Sequence, residues 1–111
     1  MTRLVMELGM GVDLHGQDYT KAARRAVEDA IHRSSLLYLL DAAKGGELPR
    51  VRVDVTIAAP RPQAVDGEAV LGALPFGERS ITVVAGGMEV ARAEPDNIVI
   101  CNAAILVTVE P

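Results

Sequence analysis

The stretch Ile98–Val109, IVICNAAILVTV, decides how the rest of the chain is read. Read with a period of two, it puts Ile98, Ile100, Ala104 and Leu106 on one side and Val99, Cys101, Ala103, Ile105, Val107 and Val109 on the other. A strand that shows water one face alternates apolar with polar residues, whereas one buried on both faces is apolar throughout. The segment therefore reads as the central strand of a sheet, interrupted by the amide of Asn102.

Working outward, residues 3–12 read as a second strand, with Leu4, Met6, Leu8 and Met10 facing one way and Val5, Glu7, Gly9 and Gly11 the other. Gly9, Gly11 and Gly16 space the run that follows. Asp18 then stands as a helix N-cap before Ala22, Ala23, Ala26, Val27, Ala30 and Ile31 at helical spacing. This helix is expected to begin near Tyr19, to pass His32 and re-form through Leu36, Leu37 and Leu40, and to stop at Lys44, Gly45 and Gly46. Arg50 to Ile57 alternates cleanly and reads as a half-buried strand. After the rigid Pro60–Arg61–Pro62 connector, Asp66 to Leu74 fits a short helix ended by Pro75 and Gly77. Arg79 to Val84 is a further strand, and Gly86 and Gly87 open a polar loop running to Asn97.

The expected fold is thus a single α+β domain over residues 1–111, in the order β-α-β-α-β-β, with a four-stranded mixed sheet and two helices on one face. The 111 residues are 50% hydrophobic but only 3% aromatic, so Ala, Val, Leu, Ile and Met must build the core. Two helices cover one face of such a sheet and leave the other bare. The apolar residues on both sides of the last strand then call for a second cover. Another copy of the chain supplies it, so a homo-oligomer is expected. The row Arg50, Arg52, Asp54 and Thr56 would lie at its margin.

The element order resembles the chorismate-mutase-like arrangement of the reactive-intermediate deaminase (YjgF-like) trimers, which favours a trimer. The stretch GMGVDLHGQDYTKAARRAVEDAI, followed by HRSSL, resembles the N-terminal signature of a small family of conserved hypothetical bacterial and fungal proteins. VDVTIAAPRP, ALPFG and VVAGGM extend that resemblance over nearly the whole chain. The glycine turn and alanine-rich helix also look faintly like one repeat of the ring-opening cyclic amide hydrolases, although the Ser-Lys pair of those enzymes is not matched here.

Candidate chemistry concentrates in Gly9 to Thr20, where Gly9, Gly11, Asp13, His15, Gly16, Asp18 and Thr20 surround a strand-to-helix turn. Glycines allow close ligand approach, and a helix start offers free N–H groups. The spacing matches neither a Walker A loop nor a dinucleotide fingerprint, and the carboxylates would repel phosphate. His15 and Asp18 are the candidate catalytic pair, an imidazole oriented by a carboxylate. The competing reading makes Asp18 a helix cap and His15 a backbone partner. His32, Arg79, Gly86, Gly87 and Asn102 are further candidate ligand contacts, each with a plain structural alternative. Cys101, mid-strand, reads as a buried inert thiol. The chain's two His and one Cys match no zinc spacing, and no cofactor or metal is expected.

The net charge of −4 and the lack of a basic cluster argue against nucleic acid. No export signal or membrane-length apolar run is visible, and a lone cysteine suits a reducing cytoplasm. With so few aromatic platforms, a pocket here would hold a small polar metabolite through charged and backbone groups. Two functions remain open: such a site at a subunit interface, either ligand-binding or acid-base and hydrolytic, or a structural or regulatory oligomer with no small-molecule site.

Overall fold

A computed structural model describes residues 3–33, 50–74 and 77–110. Along the chain come β1 (Arg3–Asp13), α1 (Tyr19–Ile31), β2 (Arg50–Ala59), a 3-10 turn (Pro62–Ala64), α2 (Gly67–Leu71), β3 (Glu78–Ala85), β4 (Met88–Val90) and β5 (Ile98–Glu110). The continuation of the first helix through Leu36, Leu37 and Leu40, its stop at Lys44–Gly46, and Pro75 lie outside the described residues.

β5 is central, as its unbroken apolar run requires. It pairs antiparallel with β1 over the whole of β1, and on its other side with β2 and then β4. β2 pairs in parallel with β3, and α2 lies on the crossover between them. The sheet is mixed and open, in the order β1-β5-β2-β3 with β4 beside β5. It has five strands where the sequence pattern shows four. The addition is β4, inside the stretch read as a polar loop. β2 pairs with β5 only as far as Ala58 opposite Asn102, and β4 takes the place left beside Ile98–Ile100. The turn into β4 uses Gly87 at φ +66, where a Cβ would sit 2.2 Å from the Ile100 carbonyl oxygen.

Both helices lie on one face. Asp18 caps α1, its carboxylate accepting the Lys21 N–H at 3.0 Å, and Asp66 caps α2 in the same way through Ala69 N–H. Ala22, Ala23, Ala26, Val27 and Ala30 of α1 are buried against the sheet. They pack with Val53, Val55 and Ile57 of β2, with Val99, Cys101, Ile105 and Val107 of β5, and with Val70 and Leu74. Gly9 and Gly11 are strand residues, not loop residues, and α1 rests directly on them. A Cβ on Gly11 would come within 2.1 Å of the Ala22 carbonyl oxygen, and one on Gly9 within 2.2 Å of that of Ala26. An alanine stripe against bare glycines lets helix and strand backbones approach more closely than any pair of side chains would allow.

The opposite face has no described element over it. Met6, Leu8 and Met10 of β1 are 60%, 62% and 54% exposed, and Met88 and Val90 of β4 are exposed on the other side of β5. Ile98, Ile100, Ala104 and Leu106 are half-buried among these neighbours, so the second face of β5 is sheltered rather than buried within one chain. Towards β2 and β3 the face becomes polar, where Arg52 pairs with Asp54 at 3.2 Å and Ser80 donates to the same carboxylate. At the outer edge of β1, side chains of α1 hold two backbone groups: Met10 N–H donates to Asp29 at 2.9 Å, and Arg25 donates to the Val12 carbonyl at 2.6 Å.

Candidate functional site

The turn between β1 and α1 runs through Gly16 at φ +99 and Gln17 at φ 50, two consecutive left-handed residues that reverse the chain. Asp13, at the end of β1, points inward and is almost fully buried. Its Oδ2 accepts the Asp18 N–H at 2.9 Å, and its Oδ1 lies 3.4 Å from Lys21 Nζ and 3.6 Å from an Arg25 guanidinium nitrogen. Lys21 and Arg25 stand four residues apart on α1, so they share one flank of it. With Val12, Leu14 and His15 these three groups line a solvent-open cleft of about 540 Å³.

His15, exposed at the cleft mouth, is brought to Asp96 and not to Asp18. Its Nδ1 lies 3.5 Å from Asp96 Oδ2 and 3.1 Å from the Arg92 guanidinium. Asp96 also accepts the Gly16 N–H at 2.7 Å, and Arg92 donates to Asp96 at 3.2 Å and to the Leu14 carbonyl. The Gly16 hydrogen bond, aided by His15 and Arg92, holds the Asp96 carboxyl below its ordinary range. The turn is thereby fastened to residues 92–97.

Behind it lies a second polar cluster. The Tyr19 hydroxyl donates to Glu89 at 2.5 Å, and Glu89 also accepts from Asn97 at 2.9 Å and Arg61 at 3.0 Å. Glu94 accepts from Arg61 and, at 3.2 Å, from the Gln17 side-chain amide, whose Oε1 accepts the Asn97 N–H at 3.0 Å. The Arg61 guanidinium also sits 5.6 Å from the centre of the Tyr19 ring. Burial, and then donation to Glu89, push the Tyr19 hydroxyl up. The Tyr19 and Asn97 hydrogen bonds hold Glu89 down, and the Arg61 hydrogen bond does the same for Glu94. Among the described residues no buried side-chain polar atom lacks a partner. This cluster is a lock that ties the β2–α2 connector, β4 and the 91–97 segment to the start of α1. The cleft, by contrast, presents exposed cations to solvent.

The other candidate residues are scattered. Thr20 Oγ1 accepts the Asp66 N–H at 2.9 Å and so joins α1 to the start of α2. His32 caps the far end of α1, its Nδ1 at 2.5 Å from the Glu28 carbonyl, and a helix of this length sets it roughly 20 Å from the cleft end. Arg79 donates to the carbonyls of Leu71 and Leu74. Gly86 and Gly87 form the β3–β4 turn, and Asn102 is exposed on the open face opposite Met10. Lys21, Arg25, Arg92 and Asp96 escape the sequence reading. The spacing of Lys21 and Arg25 along one helix flank is a signal, but charges there usually mark a solvated surface. Asp96 is 81 residues from His15, and no local spacing reveals such a pair.

The architecture and the cleft place the protein among α+β proteins with a mixed open sheet, two helices on one face and a polar strand-to-helix turn. A family model of conserved hypothetical proteins (Lin0512_fam) matches residues 3–107, and the chain belongs to that family. The crystal structure of an FtsZ-like protein of unknown function from Nostoc punctiforme is 41% identical, with a TM-score of 0.79, covering 96% of this chain and 94% of that one. The bifunctional IspDF from Campylobacter jejuni is 9% identical with a TM-score of 0.29, covering 97% of this chain and 43% of that one, a likeness that carries no argument. No curated protein matches the chain. The family match agrees with the resemblance to conserved hypothetical proteins; it does not bear on the YjgF-like trimers or the cyclic amide hydrolases.

Proposed function

We propose that the protein is a homo-oligomer, favoured as a trimer, that binds a small polar ligand in the β1–α1 cleft at a subunit boundary. One observation carries this reading: the ionisable groups Asp13, Lys21 and Arg25 line a solvent-open cleft at the end of β1, the strand whose Met6, Leu8 and Met10 are exposed on the face with no described element over it. Leu14 lines the cleft and is 53% exposed, and Met10 of the bare sheet lies four residues before it. A partner seated on that face would reach the cleft and close its mouth. Tyr19, the one aromatic residue described, is committed to the lock, so recognition falls to charged and backbone groups. In an acid-base role His15 would act through Nε2, with its Nδ1 placed between Arg92 at 3.1 Å and Asp96 at 3.5 Å, and Asp18 would stabilise the turn as a cap. No helix among the described residues is long and apolar enough to cross a membrane. The free, buried thiol of Cys101 suits a reducing cytoplasm.

A structural or regulatory oligomer with no small-molecule site is the second reading. It is favoured by the hydrogen bonds that already occupy Asp18 and the Nδ1 of His15. Sedimentation at micromolar concentration tests assembly: a multiple of 11.7 kDa is expected, reduced to the single-chain mass by Leu8→Glu. A wild-type monomer overturns it. For the ligand, His15→Ala in a metabolite thermal-shift screen is expected to melt near wild type and to lose the hits. Unchanged hits with a large fall in melting temperature favour the structural oligomer.

A further inference from the structure

The cleft holds more hydrogen-bond donors than its own acceptors use. An ammonium carries three N–H donors and a guanidinium five. Lys21 has Asp13 Oδ1 at 3.4 Å, and Arg25 directs one nitrogen to the Val12 carbonyl at 2.6 Å and to Asp13 Oδ1 at 3.6 Å. The Asp13 side chain is 2% exposed, whereas those of Lys21 and Arg25 are 50% and 45% exposed. The carboxylate is therefore the floor of the cleft and the two cations its rim. One buried negative charge aims two positive heads without neutralising both. The remaining carboxylates nearby are engaged: Asp18 with the Lys21 N–H, and Asp96 with Gly16, Arg92 and His15. Val12 and Leu14 supply apolar wall beside the rim.

Resting on the reading of this cleft as a ligand site, we infer that its ligand is a small organic monocarboxylate. The carboxylate lies between Lys21 and Arg25, and the short aliphatic part lies against Val12 and Leu14. The Arg25 guanidinium edge not used on Val12 offers parallel donors that suit a planar carboxylate. Phosphate fits less well, because a second negative charge would meet the Asp13 floor and because Asp18 already occupies the cap of α1.

The test is a backbone amide NMR titration of the whole protein with sodium butyrate at constant ionic strength, with butyramide and inorganic phosphate in parallel. Saturable shifts confined to residues 12–25 are expected with butyrate. Lys21→Gln and Arg25→Gln should each weaken them about tenfold, as loss of a charge-assisted hydrogen bond does. Arg52→Gln, whose guanidinium pairs with Asp54 outside the cleft, should leave them unchanged. Lys21 holds no backbone carbonyl through its side chain, so its variant stays informative if Arg25→Gln unfolds. No saturable shift up to the order of tens of millimolar, an equal response to phosphate, or an unchanged butyrate affinity in Lys21→Gln overturns the inference. Saturation by butyramide and not by butyrate overturns the inference about charge and leaves the polar-ligand reading standing. Sedimentation of the same samples reports separately on the assembly.

Discussion

Replacing Gly11 with alanine adds one methyl group where the structure has no room for it. The new Cβ would sit 2.1 Å from the Ala22 carbonyl oxygen and 2.3 Å from the Ala26 nitrogen, against ordinary contacts of 3.4 Å or more. Both obstacles are helix backbone, so no rotamer change relieves them. α1 must retreat from β1 by more than about 1 Å, and a gap of that order forfeits up to about half of each lost dispersion contact. Ala22, Ala26 and Ala30, now fully buried, would loosen together. Overpacking alone costs about 1–3 kcal/mol, and the displaced helix raises the expected total to about 3–5 kcal/mol, a large part of an ordinary domain's stability. At about 4–8 °C per kcal/mol, the melting temperature should fall by roughly 12–40 °C. Thermal unfolding followed by circular dichroism reads this directly. Gly16→Ala is the comparator, because Gly16 has φ +99 but nothing closer than 3.8 Å; strain alone should cost about 1 kcal/mol. A fall below about 5 °C for Gly11→Ala, or equal falls for the two variants, would refute the close-approach argument.

Tyr19→Phe removes the hydroxyl that Glu89 accepts from and should cost about 1–2 kcal/mol in urea unfolding; an unchanged midpoint would show that the lock adds no stability. Glu89, Glu94 and Asp96 are held below their unfolded values by hydrogen bonds, so their stabilisation is present above the unfolded carboxylate range and is lost as pH falls through the folded values. The melting temperature should therefore drop as pH goes from about 5 to about 3, less steeply in Tyr19→Phe, and a flat profile contradicts this. Burial pushes the Cys101 thiol up to about 11, so iodoacetamide at pH 8 should alkylate the native protein on the order of 100-fold more slowly than the unfolded chain, as mass spectrometry would show. Comparable rates would mean that β5 opens readily.

What the sequence makes legible here follows the length of each signal. The 13 residues of β5 and the alanine stripe of α1 repeat their periods often enough to be read, and both are where the pattern puts them. β4 has three residues, too few for alternation to show, and it exists because β2 ends short of the start of β5. Gly9 and Gly11 read both as residues of the first strand and as part of the glycine-spaced turn; the strand placement holds, and the turn reading fails because glycine marks both a turn and a close backbone approach, which only the position of α1 tells apart. The segment Gly9–Thr20 does contain Asp13 and His15 of the cleft, but their partners come from α1 and from residues 92–97. Those contacts depend on tertiary folding that no spacing along the chain records. Asp18 was legible as a cap because capping is local.

The α1 side chains that hold Met10 N–H and the Val12 carbonyl bear on how copies of this chain can meet. A bare strand edge templates another strand, and strands added one after another make open-ended fibrils. Along Met10–Val12 that route is blocked by Asp29 and Arg25. With that stretch of edge guarded, the apolar surface that β1 leaves exposed is its face, at Met6, Leu8 and Met10. Asp29→Ala would uncover the Met10 N–H, and the first sign of its loss would be ribbons seen by electron microscopy rather than a missing ligand.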